Sequence, residues 1–136
     1  MSLQFIYQFQ ARIYELLSQE QTIRQKVVGI YLSVQHDAKY PFILVSMLKS
    51  KNLSKYDLSN YELDFEIGIF ARDKTQEFLM QLASQINSVL KLSVLGSGNY
   101  NVISLRENGL EFIRGHDLLT NKVAISYSAT LQGGIQ

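Results

Sequence analysis

NYELDFEIGIFARDKTQEF, residues 60–78, decides how the chain is read. Tyr61, Leu63, Phe65, Ile67, Ile69 and Ala71 alternate with Glu62, Asp64, Glu66, Gly68, Phe70 and Arg72. Successive side chains of a strand point to opposite faces, so this alternation predicts a long strand with one buried side. Helix signals follow at once. Asp73 with Gln76 three residues later makes a capping-box pattern, and Phe78, Leu79, Leu82, Ile86, Val89 and Leu90 recur at helical spacing. A one-sided strand running straight into a one-sided helix predicts a helix laid on a sheet.

Upstream, Phe5, Ile6, Phe9, Ile13, Leu16 and Leu17 paint one stripe of an opening helix, and the polar run 18–25 loosens it or restarts it as a short turn. VVGIYLSV (27–34) is β-branched and aromatic enough for a strand, QHDAKYP is a turn, and PFILVSML (41–48) predicts a central strand covered on both faces. The polar connection 49–60 is longer than a hairpin requires. Downstream, GSGN (96–99) closes the helical unit. Three shorter strands are expected in NVISLR, GLEFIRG and KVAISYSATL. The sum is a single α+β domain over residues 1–136: one antiparallel or mixed β-sheet with two main helices packed on it.

Composition narrows the function classes. A formal net charge of +1 argues against sequence-specific nucleic acid as the main partner, because neutralising phosphates needs an excess of Lys and Arg. The chain has no cysteine, so disulfides, thiolate nucleophiles and Cys-based metal sites are excluded. No run is long enough to span a bilayer.

Three constellations bear on chemistry. Glu62, Asp64 and Glu66 share one strand face, but residues two apart lie roughly 6.5–7 Å from each other, too far for one ion to bind all three. If the strand pairs with 41–49 as a long hairpin, Lys49 or Lys51 sits across from Glu62 or Asp64. That face is a solvated surface or an interaction surface. The pairs His36–Asp37 and His116–Asp117 match a dipeptide of metal-dependent phosphohydrolases, yet both fall in turn-like segments and read as loop residues. Lys49, Lys51 and Lys55 with Tyr56 form the best local contact surface outside the strand. No Walker loop, nucleophile elbow or HExxH occurs, so neither an enzyme nor a cofactor is expected.

Over nearly its full length the chain resembles the tail-completion or tail-terminator proteins of long-tailed phages, prophages and gene transfer agents. The likeness rests on Gly29, Ile30, Tyr31, Pro41, Phe42 and Ile43, on the alternating strand leading into EFLMQLASQINSVL, and on closing strands with a turn at Asn108–Gly109. Val34–Gln35 stand where many members have a proline. The resemblance implies a structural role: a ring, commonly of six subunits, that caps the finished tail tube, stops its polymerisation and presents a surface to the head connector. Partners would then be further copies of the chain, the tail-tube protein and connector proteins, in host cytoplasm during assembly and afterwards in the virion. On that reading the acidic face meets the next subunit or an adjacent tail component. Competing readings are a head-closure or connector protein of the neck, a small metal-dependent hydrolase using the His–Asp pairs, and a free-standing binding module.

Overall fold

The computed structural model describes residues 4–33, 36–53, 60–96 and 98–133. Its elements run α1 (Gln4–Gln19), α2 (Gln21–Arg24), β1 (Gly29–Tyr31), β2 (Phe42–Asn52), β3 (Asn60–Arg72), α3 (Gln76–Leu92), β4 (Tyr100–Arg114) and β5 (Thr120–Gly133). The strands form one five-stranded sheet in the order β1-β2-β3-β5-β4. It is mixed: β1 pairs with β2 in parallel, and every other pairing is antiparallel. The α+β class and the two main helices stand as expected, and β3, the strand part of the 60–78 stretch, lies at the sheet's centre.

The buried face is built by the alternation itself. Leu63, Phe65, Ile67, Ile69 and Ala71 on β3 join Ile43 and Val45 on β2 and Val123, Ile125, Tyr127, Ala129 and Leu131 on β5. Phe5, Phe9, Ile13 and Leu17 of α1 and Leu79, Leu82, Ile86 and Leu90 of α3 close over them. Burial of each such side chain is worth about 1.5–3 kcal/mol, which makes this layer the main source of stability. Polar bonds then fix positions within it. Gln10 Nε2 donates to the Val45 carbonyl at 2.9 Å and anchors α1 on β2. Tyr100 donates to the Leu95 carbonyl at 2.8 Å, and Tyr127 donates to Asn87 Oδ1 at 3.0 Å. Burial pushes both phenols up, against a smaller lowering from Arg12 at Tyr100 and with help from Glu107 at Tyr127, so both stay neutral donors.

Four local expectations are corrected. The α3 cap is Thr75, whose hydroxyl accepts from the Phe78 N–H at 3.1 Å; Asp73 instead turns the chain at φ 58°. The helix ends at Leu92, capped by extended Ser93, before GSGN is reached. Leu44 is only half-buried and Leu48 is exposed, so β2 is covered on one face. Finally, NVISLR and GLEFIRG are one strand, the 15-residue β4. Asn108–Gly109 is not a turn but a bulge within it: Glu107 faces Tyr127, Gly109 faces Ser126, and Asn108 is the extra residue. Gly109 has φ +152°, which explains a glycine there.

The true turn joins β4 to β5. Asp117 accepts from the Leu119 N–H at 3.0 Å and from the Thr120 N–H and hydroxyl at 2.9 and 2.8 Å. These bonds, with Arg72 beside them, hold its carboxyl below the usual range. The clamp forces Leu118 to φ 63°, and its side chain is 69% exposed. Leu118→Gly is expected to raise stability, because a left-handed leucine costs roughly 1–2 kcal/mol and this one has little burial to lose. Thermal unfolding checks it; a lowered melting temperature would contradict the strain.

Candidate functional site

No described element packs on the other face of the sheet, so β2, β3 and β5 present alternate residues there. Phe42, Leu44, Ser46, Lys49 and Lys51 come from β2; Glu62, Asp64, Glu66, Gly68, Phe70 and Arg72 from β3; and Lys122, Ala124, Ser126, Ser128 and Thr130 from β5. The expected pairing of these lysines with the acidic face is present, with Lys49 across from Asp64 and Lys51 across from Glu62. A bulge at Leu48, between the Met47 and Lys49 registers, brings both lysines onto this face.

The three carboxylates differ in what they meet. Glu66 pairs with Lys122 Nζ at 3.0 Å. Asp64 Oδ1 accepts from Ser128 at 2.7 Å, Ser128 accepts from Asn108 Nδ2 at 2.8 Å, and Asn108 Oδ1 accepts from Arg106 Nε at 3.0 Å. This chain of bonds crosses from β4 over β5 to β3, and Ser128 in its middle is buried. Glu62, Lys49 and Lys51 form no ion pair among the described residues, and both lysines are exposed. Two of the three charges are therefore answered within the subunit, and the unspent part is Glu62 with the two lysines. Lys55 and Tyr56 lie outside the described residues.

The other half of the face is aromatic. Phe42 and Phe70 stack with centroids 4.7 Å apart at 9°, Tyr31 meets Phe42 edge-on at 5.8 Å, and Tyr40 lies 5.6 Å from Phe42. Lys122 Nζ sits 5.2 Å from the Phe70 ring centre while holding Glu66. Gly68 makes room for this: a Cβ there would come within 3.1 Å of the Phe70 ring and 3.2 Å of the Lys122 stem. This cluster was missed in the sequence, although Phe70 is the one aromatic on the polar side of the alternation. The face thus offers paired charges, hydroxyls and an aromatic platform, which are recognition groups. The two His–Asp pairs remain apart from it. His36–Asp37 sits in the turn after β1, and Asp117 is committed to the β4–β5 turn. Among the described residues no three His, Asp or Glu side chains are grouped to hold a metal.

No family model matches the chain, and no curated protein matches it in sequence. Solved structures do match. One chain in the virion of a native gene transfer agent particle superposes with TM-score 0.74 at 16% identity, covering 91% of this chain and 94% of its own length. The two chains share one fold. Bacteriophage SPP1 gp17 superposes with TM-score 0.59 at 18% identity, covering 94% of this chain and 91% of its own. Both alignments cover more than nine-tenths of this chain, so what is shared is the fold of the whole domain. The resemblance drawn from Gly29–Tyr31, Pro41–Ile43 and the alternating strand agrees with these neighbours.

Proposed function

We propose that this chain is a non-enzymatic assembly protein of a phage-like particle, a ring-forming tail terminator that caps the tail tube, stops its growth and joins it to the head connector. The observation that carries the reading is the end-to-end match to a gene transfer agent virion subunit, with more than nine-tenths of each chain covered. A surface built for contact supports it: the open sheet face carries recognition groups and no assembled reaction centre is needed for capping. Within that role the exposed Lys49 and Lys51 and the half-buried, unpaired Glu62 meet an adjacent tail component, and the ring is closed by further copies of the chain, commonly six.

The test is the mass of the purified protein by light scattering over a concentration series, with negative-stain imaging, alone and with tail-tube protein. Closed rings, or recruitment by tube ends, are expected. A protein that neither forms rings nor is captured by the tube, but binds portal or adaptor instead, belongs to the neck. Glu62→Lys should leave the monomer's melting temperature within about 2 °C, since Glu62 holds no ion pair among the described residues and surface substitutions outside such networks usually cost less than about 0.5 kcal/mol. It should weaken capture by the tube several-fold; unchanged capture removes Glu62 from the contact.

A further inference from the structure

The sheet ends in an open edge. β4 is the last strand of the order, and beyond its bulge the stretch 109–114 runs without lysine, proline or a further bulge. Its Leu110, Phe112 and Ile113 are 38%, 50% and 42% exposed and lie on both faces of the strand. Native proteins normally blunt such an apolar edge, because it is a template for another strand. The ladder tells which backbone groups are open. The Gly115 N–H donates to the Thr120 carbonyl at 2.7 Å, so by antiparallel alternation Ile113 and Glu111 also bond to β5. Leu110, Phe112 and Arg114 then turn their N–H and C=O groups outward. What fits this edge is a strand, which returns donors and acceptors at the same spacing.

The opposite end of the same sheet supplies one. β1 covers β2 at 42–44 alone, so beyond it β2 is itself the edge, and 48–51 is exposed throughout. There the Leu53 N–H donates to the Asn60 carbonyl at 2.8 Å, which by the same alternation turns Lys51 and Lys49 toward β3 and Ser50 outward. The outer side of β1 offers only three residues. Charge selects the match. Lys49 and Lys51 stand on the open face without an ion pair among the described residues, and so does Glu111, which faces Ala124 of β5. Lysines and a bulge deter indiscriminate pairing at an edge, and a carboxylate on the incoming strand makes the pairing selective. β3 and β5 separate β2 from β4 by about 14 Å at the usual strand spacing, so a subunit cannot close this contact on itself.

We propose that the 109–114 edge of β4 pairs with the 48–51 edge of β2 in a second copy of this chain, continuing the sheet from subunit to subunit with Glu111 across from Lys51. Within a subunit β2 and β4 run in opposite directions, and rotation about an axis along the strands preserves them, so the new ladder is antiparallel. The register that covers Phe112 and Ile113 together sets the outward groups of Phe112 against those of Ser50. Glu111 then meets Lys51, and Ile113 lies along the Lys49 stem. The ladder is made by backbone groups, so both lysines stay on the open face and still border the surface offered to the tail. The two edges are different patches, so the contact is heterologous and repeats from copy to copy, as ring closure requires. The inference rests on the ring reading but makes a separate claim about which surfaces meet.

The chain has no cysteine, so an engineered pair reports this contact alone. Positions 111 and 51 would form a non-hydrogen-bonded pair with Cα atoms about 4.5 Å apart, within disulfide reach. Glu111→Cys/Lys51→Cys, shown to fold by circular dichroism and oxidised with and without tail-tube protein, is expected to give a ladder of cross-linked oligomers. Glu111→Cys/Glu77→Cys, with its second thiol on the exposed start of α3, is expected to give nothing beyond dimers. Sedimentation is expected to show self-association weakened at least about tenfold by Glu111→Lys or by Lys51→Glu, and recovered when one chain carries both. Rings that form without the cross-link, or that ignore both reversals, overturn the strand contact and leave the ring reading intact. A cross-linked ladder of open chains with no closed form keeps the contact and removes the ring. A chain that stays monomeric and uncross-linked even with tail-tube protein overturns the contact, and capture by the tube then decides the terminator reading by itself. If the cysteine pair fails to fold, the reversals decide: no loss, or a loss that the combined change does not recover, overturns the contact.

Discussion

Phe65→Ala is expected to remove about 3–5 kcal/mol of stability, the usual cost of emptying a fully buried phenylalanine site. Phe65 has no exposure, and it sits where α1, β3 and β5 meet. Phe9 of α1 meets its ring edge-on at 5.3 Å, and Tyr127 of β5 stacks on it at 5.1 Å and 14°. Aromatic pairs of this geometry add about 0.5–1.5 kcal/mol each beyond the area they bury. The neighbours are poorly placed to refill the space. Tyr127 is tethered through its hydroxyl to Asn87, and Phe9 is held by the helix that Gln10 anchors. Because domains of this size are stable by only about 5–15 kcal/mol, the variant should lose at least about a fifth of its margin. Urea unfolding should show a lower midpoint with an unchanged slope. Phe65→Leu, which keeps much of the volume, should cost less than half as much. A loss below about 1 kcal/mol for the alanine variant would mean that α1, β3 and β5 do not meet at this ring.

How much of this was legible beforehand follows from how local the determinants are. The Tyr61–Ala71 alternation exposed the central strand, its buried side and the acidic face, because a period of two needs no knowledge of neighbours. The stripes of α1 and α3 were legible for the same reason. That Lys49 or Lys51 would lie across from Glu62 or Asp64 was foreseeable from chain order, while the bulge at Leu48 set which lysine meets which carboxylate. What escaped was non-local. Asn108–Gly109 carries the strongest short-range turn signal, yet the strand continues through it because Ser128 of β5 fixes the Asn108 amide and β5 supplies partners on both sides. Thr75 displaced Asp73 as the α3 cap because β3 runs on to Arg72 and the chain needs Asp73 for the corner. The division of the acidic face into spent and unspent charges depends on β5 and β4, which lie some 60 and 40 residues further along the chain.

That division yields the second large effect. Asp64→Ala should cost about 1.5–3 kcal/mol, the range for a hydrogen bond to a charged group, whereas Glu62→Ala, two residues away on the same face, should cost less than about 0.5 kcal/mol. The reason is the Ser128 hydroxyl. At 7% exposure it is out of reach of bulk water, and Asp64 Oδ1 is the acceptor of its proton at 2.7 Å. Removing the carboxylate leaves a buried donor unanswered and lets go of Asn108, whose bulge then loses its tie to β5. A double-mutant cycle isolates the bond. Asp64→Ala with Ser128→Ala should cost less than the sum of the single changes, because no orphaned hydroxyl remains. Equal losses for Asp64→Ala and Glu62→Ala would show that the network carries no stability and that the face is uniformly solvated. The expected inequality also assigns roles along one strand: Asp64 and Glu66 hold the sheet's surface together, so a charge reversal meant to probe docking belongs at Glu62, where a change in tube capture cannot be mistaken for unfolding.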